Sequence, residues 1–204
     1  MTKRRSMLTL SATALLAAAV AAPGMAQSPS APAPAASVPA GPAITVVATD
    51  YHFGGLPTSV PVGTTIGLTN QGAELHEIVL FRKNDGVTQT FDELLQLPED
   101  QALQYVTPVG DGDPVYAAPG ETAATTLTLD SEGEYIALCF IPQGLSEMPA
   151  PDATLDPALA SATPHFMLGM VQTFTVTPAG TEVGPLPSAM PMSPMGSPEA
   201  SPVA

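Results

Sequence analysis

An all-β antiparallel sandwich with one short helical insertion is the fold class this sequence predicts, on three observations. Stretches of apolar-in, polar-out alternation recur along the middle of the chain. Gly-, Asn- and Asp-containing turn signals separate them. One run, "GEYIALCFI", is apolar on both faces, as a central strand is.

The elements follow in order. "AITVVATDYHF" opens the region as a strand. "TSVPVGTTIGLTNQG" alternates and is punctuated by Gly63 and Gly72. "LHEIVLFRK" is a strand that ends at the turn signal "NDG". Within it His76, Ile78 and Leu80 share a core-directed face, and Glu77, on the other face, is expected in solvent, with a supporting role beside His76 as its other reading. Thr90 and Glu93 form a capping-box pattern, with Phe91, Leu94 and Leu95 on one helical face, so a short helix is expected there. "PEDQALQYV" extends it as a second short turn. "ETAATTLTL" returns to strand with Ala123, Thr125, Leu127 and Leu129 on one face, "GEYIALCFI" is the central strand, and "MVQTFTV" closes the set. Seven or eight short strands result, with no internal repeat.

This folded region, residues 43–177, is a comfortable size for one domain. Residues 27–42 are an Ala/Pro/Ser-rich linker, and residues 178–204 a Pro/Met/Ser-rich segment expected to be disordered. Residues 1–26 have the layout of an export signal. Lys3, Arg4 and Arg5 precede a small, apolar run from Met7 to Ala22, and Gly24-Met25-Ala26 places cleavage after Ala26. Arg4-Arg5-Ser6-Met7-Leu8 also resembles a twin-arginine signal, so both export routes stay open. The run is short for a membrane anchor. The expected product is exported, whether periplasmic, extracellular or held at the cell surface, with no stable membrane insertion.

Cleavage would leave only Arg82 and Lys83 against all 19 acidic residues, a formal charge of 2 − 19 = −17. Such a surface repels nucleic acid and anionic lipid and favours partners with basic docking surfaces. It also keeps an exported protein soluble and a monomer. Catalytic frameworks are missing from the sequence. No nucleophile motif surrounds any serine, and neither a phosphate loop nor zinc-finger spacing occurs. The expectation is a protein that is not an enzyme.

One cysteine, Cys139, remains in a chain bound for an oxidising compartment. It cannot form an internal disulfide, so it is either buried and inert or engaged as a ligand. Three other residues can join it at one pole of a sandwich. His76 heads one strand, Cys139 ends another, and His165 and Met170 lie on the corner of "PHFMLGMVQTFTV". Two imidazoles, a thiolate and a weak thioether are the donor set of a type 1 copper electron-transfer site. Met167 and Met148 compete with Met170 for the thioether role. His52 lacks a partner pattern and is read as structural or exposed. Met190, Met192 and Met195 in the tail offer soft-metal donors, though a disordered segment accounts for them as well.

In these passages the chain resembles the cupredoxins, the plastocyanin-like type 1 blue copper proteins. "NQGAELHEIVL" looks like the family's strand presenting the first histidine, here His76. "GEYIALCFIP" is similar to the strand presenting the thiolate, here Cys139. "PHFMLGMVQTFTV" resembles the segment carrying the second histidine and axial methionine, here His165 and Met170. The resemblance covers about residues 43–177. It implies a Greek-key sandwich, one Cu(I)/Cu(II) ion and single-electron exchange with a redox protein partner. It also implies that Asn70 fastens the ligand loops, where the plainer reading is a turn residue. Copper delivery without a redox circuit and a metal-free surface module remain as other readings. The sequence departs from the family in one respect. Residues 140–164 separate Cys139 from His165, a Pro/Ala/Asp-rich insert expected to run over the surface, where it can cover the metal's exposed edge.

Overall fold

The computed structural model describes residues 40–150, 154 and 156–188. The predicted export signal, the linker as far as residue 39 and the tail methionines lie outside the described residues. Ten strands carry the fold: β1 (Ala43–Thr49), β2 (His52–Gly54), β3 (Ser59–Pro61), β4 (Thr65–Asn70), β5 (His76–Lys83), β6 (Val106–Pro108), β7 (Val115–Ala117), β8 (Leu127–Thr128), β9 (Gly133–Leu138) and β10 (Val171–Thr177). Among the described residues three single-turn helices join them: α1 (Phe91–Leu94), α2 (Glu99–Ala102) and α3 (Pro157–Ala160), and a 3₁₀ turn spans His165–Leu168.

One sheet has the order β2-β1-β4-β8, the other β3-β10-β9-β5-β6, with β7 pairing the start of β5. Most pairings are antiparallel, as expected, but β1–β4 and β3–β10 are parallel. The reason lies in the path. After β2 the chain leaves the first sheet to place β3 in the second, then returns as β4 running alongside β1 in the same direction.

The two sheets enclose the core expected from the alternation. Val46, Ala48, Ile66 and Leu68 face Ile78, Leu80, Tyr135, Ala137, Phe174 and Val176, all buried. Burying a side chain such as Leu, Ile or Phe is worth about 1.5–3 kcal/mol, so this interior dominates stability. The outer face of β9 is also covered. Ile136 and Leu138 pack under Phe91 and Leu94 of α1, which is why "GEYIALCFI" is apolar on both sides. Thr90 caps α1 through the predicted box, its hydroxyl accepting from the Glu93 N–H while the Glu93 carboxylate accepts from the Thr90 N–H.

The strand expected over "ETAATTLTL" shrinks to β8. Thr125 is exposed, and Leu127 and Leu129 are buried. This segment skirts the sheet edge, meeting β4 at Thr69↔Thr122 and again at Ile66↔Leu127. Past β10, the Gly184 N–H donates to the Ser59 carbonyl and the Thr58 N–H to the Pro185 carbonyl, so this part of the tail lies along β3. Among the described residues, no helix is long and apolar enough to cross a membrane.

Register sets up the pole. Leu138 pairs with Val79 on one side and Val171 on the other. Cys139, Ile78 and Met170 are the next residues outward on these three neighbouring chains.

The buried Tyr135 ring stacks on Phe174 at 5.5 Å, and its hydroxyl donates to the Ser131 carbonyl at 2.6 Å, pinning the turn before β9. Tyr135→Phe keeps the ring and removes that bond. Urea unfolding of the variant is expected to show a stability loss of about 1 kcal/mol, read as a lower midpoint at unchanged slope.

Candidate metal centre

Three side chains meet at this pole. The His76, Cys139 and His165 ligand atoms all lie within 4.8 Å of one another, and all three residues are 0% exposed. His76 opens β5, Cys139 follows β9, and His165 opens the 3₁₀ turn. That turn is built to reverse the chain. Pro164 enters it extended, and Gly169 closes it in the left-handed region at φ 114°, where a side chain would be strained. The Met170 N–H then donates to the His165 carbonyl at 3.0 Å and the Phe166 N–H to the Cys139 carbonyl at 2.8 Å, binding the corner to the end of β9. Met170 is fully buried and belongs to the same core as Cys139. Met167 is 67% exposed and Met148 50%, so both point away from this interior. His52 is exposed on edge strand β2.

The hydrogen bonds define which nitrogens are free. His76 Nε2 donates to Asp50 Oδ1 at 2.8 Å, and His165 Nε2 donates to Glu74 Oε2 at 2.9 Å. An ionised carboxylate only accepts, so in the neutral form of each ring the proton sits on Nε2. The two Nδ1 atoms therefore carry lone pairs, and they face each other at 3.2 Å. Burial holds His165 below its ordinary pKa, against the pull of Glu74, which favours the neutral ring. Burial also raises the Glu74 and Asp50 carboxyls. Bonds from Gly144 N–H, Tyr51 and His165 outweigh it at Glu74, and bonds from Ala73 N–H, His76 and Glu74 N–H outweigh it at Asp50. Both carboxyls end below their usual range.

Cys139 Sγ lies 3.5 Å from His165 Nδ1 and accepts the Glu77 N–H at 3.5 Å. Burial pushes the thiol up to about 12, so it holds its proton until a cation displaces it. Two converging imidazole lone pairs beside a thiol, in a fully buried pocket, can hold a metal ion. The donor chemistry fits copper, whose reduced form favours thiolate and whose two states both accept imidazole.

Glu77 corrects the sequence expectation. It is 4% exposed, with Tyr116 of the paired strand β7 opposite it and the chain at Phe140 against its carboxylate. Its Oε1 accepts the Phe140 N–H at 2.9 Å, and burial raises its pKa. The residue thus braces the backbone on either side of the sulfur. Asn70 is buried and spends its whole amide on backbone groups of the β4–β5 loop and of β7. Nδ2 donates to the Glu74 and Ala117 carbonyls at 2.7 and 2.8 Å, and Oδ1 accepts the Gly72 N–H at 2.8 Å. Asn70 ends β4, and its side chain fastens the loop that follows.

Sequence reasoning did not reach Asp50, Glu74 or the start of the insert. The insert is not wholly a surface excursion. The Leu145 carbonyl accepts the Leu75 N–H at 2.7 Å, its side chain packs on the core, and the Gly144 N–H donates to Glu74 Oε2 at 2.7 Å. Gln143 also donates to the Tyr51 hydroxyl, and the Tyr51 ring lies 4.7 Å from the His165 ring. The first residues of the insert thus help close the wall over His165. No signal in the insert's composition announces this.

No family model matches the chain, and no curated protein matches it. Solved structures do. Dithionite-reduced auracyanin from the photosynthetic bacterium Roseiflexus castenholzii aligns at 21% identity and a TM-score of 0.38, over 68% of this chain and 99% of that one. Auracyanin B aligns at 21% identity and 0.36, over 67% and 88%. A blue copper oxidase from Nitrosomonas europaea aligns at 17% identity and 0.23, over 64% and 44%. The cupredoxin resemblance read from the three passages fits the mostly-β fold and the His76–Cys139–His165 cluster.

Proposed function

We propose that this chain is an exported type 1 copper protein that passes single electrons between redox partners. The observation that carries the reading is the convergence of two imidazole Nδ1 atoms and one thiol within 4.8 Å at a fully buried pole. His76, Cys139 and His165 would hold the ion, and Met170 would supply the weak axial thioether. Copper bound there would supply a Cu(I)/Cu(II) couple. The chain's part is to keep the donors in place and dry. His76 and Cys139 stand at the ends of paired strands, and His165 stands on a turn bonded back to Cys139, so the frame resists rearrangement.

One observation favours a second reading, copper storage or delivery. His165 is fully buried, and its outer nitrogen is covered by Glu74. A covered edge slows outer-sphere exchange. Stopped-flow oxidation of the reduced protein, set beside transfer of copper to a chelating acceptor, separates the two.

Copper-loaded, oxidised protein is expected to be blue, and Cys139→Ser to lose the visible band while keeping its circular dichroism. An intense band surviving in that variant would remove Cys139 from the ligand set. Met170→Gln is expected to keep copper and lower the potential, with Met167→Gln unchanged. The reverse pattern in voltammetry would move the axial role to Met167.

The acidic surface favours a basic redox partner. Arg82 and Lys83 are each paired, with Asp85 and Glu134, so the excess negative charge stands little opposed. Electron exchange with such a partner is expected to slow as ionic strength rises, since surface attraction is screened beyond ~10 Å at 0.1 M salt. A flat rate would leave the acidity as a solubility feature.

A further inference from the structure

Two carboxylates outside the cluster do more than cap it. We infer that Asp50 and Glu74 are positioning residues for metal capture: each holds the Nε2 proton of one histidine and so keeps both Nδ1 lone pairs free and aimed at the thiol. The inference rests on the reading of His76, Cys139 and His165 as ligands.

The geometry carries it. A buried histidine with no partner at Nε2 can place its single proton on either nitrogen. If either ring carried its proton on Nδ1, that proton would lie between the two rings, bonded to the other Nδ1 3.2 Å away, and one donor would be lost. Asp50 Oδ1 at 2.8 Å from His76 and Glu74 Oε2 at 2.9 Å from His165 both exclude this arrangement.

The carboxylates are themselves held. Asp50 Oδ2 accepts the Ala73 N–H at 2.9 Å, and Glu74 accepts the Tyr51 hydroxyl at 2.9 Å and the Gly144 N–H at 2.7 Å. Room for the first pair depends on Gly72. A Cβ there would lie 2.2 Å from Asp50 Oδ1 and 2.7 Å from His76 Nε2. A backbone carbonyl in either place would set the same tautomer. A carboxylate adds a full negative charge, which favours the more positive oxidation state of a bound ion. Holding the imidazole through its outer nitrogen is a general way of orienting metal ligands, and losing such a partner typically costs about 10–100-fold in metal affinity.

The test uses the whole mature protein, wild type and four variants: Asp50→Ala, Glu74→Ala, Asp50→Asn and Glu74→Gln. Nitrogen-15 correlation spectra of the metal-free protein read the tautomers directly. Both histidines are expected as Nε2–H in wild type. The alanine variants are expected to show mixed tautomers and, in competition with a Cu(I) chelator, about 10–100-fold weaker binding. The amide variants keep an oxygen for the ring proton, so affinity should stay within several-fold. Their potentials should rise, because one negative charge has gone; a purely structural role would leave the potential where it was. Wild-type tautomers with undiminished affinity in the alanine variants would overturn the inference, as would Nδ1–H histidines in the wild type. If an alanine variant fails to fold, the potential of the matching amide variant decides. A wild type that binds no copper would overturn the copper reading and the capture role together. The metal-free spectra would then still report whether the carboxylates set the tautomers.

Discussion

Everything at the pole depends on keeping two imidazoles and a thiol together in a buried interior. Burying a polar group without a partner costs roughly 1–3 kcal/mol by mutational measures, and this site buries three side-chain groups at once. The fold meets that cost from outside the cluster. Asp50 and Glu74 satisfy the outer nitrogens, the Glu77 N–H satisfies the sulfur, and Asn70 fastens the loop that carries Glu74. The inward-facing atoms are left with one another. Replacing a buried polar cluster by well-packed apolar side chains is often neutral or stabilising, so the stability of the fold does not by itself account for such an arrangement.

The supporting shell is drawn from distant parts of the chain. Asp50 comes from the β1–β2 turn, Glu74 from the β4–β5 loop, and Gly144 from the start of the insert. Glu74 is where they join, since one carboxylate accepts from Tyr51, His165 and Gly144. A disturbance in the insert therefore reaches the pole at His165 through hydrogen bonds and needs no movement of the strands. This also explains why a long connection between Cys139 and His165 is tolerated. The Pro142↔Pro164 bridge and the Gln143 N–H bond to the Thr163 carbonyl close the loop near its base, so its outer part adds little constraint to either ligand.

How much of this was legible in the sequence follows from how local each signal is. Strand alternation placed His76, Ile78 and Leu80 on the inner face, and they are there. The Thr90–Glu93 box marked α1 because capping acts over three residues. The corner at His165 and Met170 was readable from Pro164 and Gly169. Glu77 was misjudged because strand periodicity reports which face a residue takes and says nothing of what covers that face. Here Tyr116 of the paired strand β7 stands opposite Glu77, and the chain at Phe140 lies against its carboxylate. Thr125 failed for the opposite reason, since alternation continued in a segment that reaches its sheet only at isolated points. Asp50 and Glu74 were out of reach. They sit in loops without periodicity, and their partners lie 26 and 91 positions away along the chain.

The same contrast separates the two kinds of negative charge in this protein. Most acidic residues are exposed and act through their sum, a long-range field that salt weakens. Asp50 and Glu74 act at hydrogen-bond distance beside a low-dielectric interior, where screening is slight and geometry decides. Their side chains are 30% and 20% exposed, so water still offsets part of the cost of keeping them ionised, while the imidazoles they hold are fully buried. Each carboxylate thus stands at the boundary, solvated on one side and bonded to a dry ring on the other. A residue deeper in the core would resist ionisation, and one further out would lose its hold on the ring. That boundary position lets an acidic protein place two charges next to a buried centre without burying either of them.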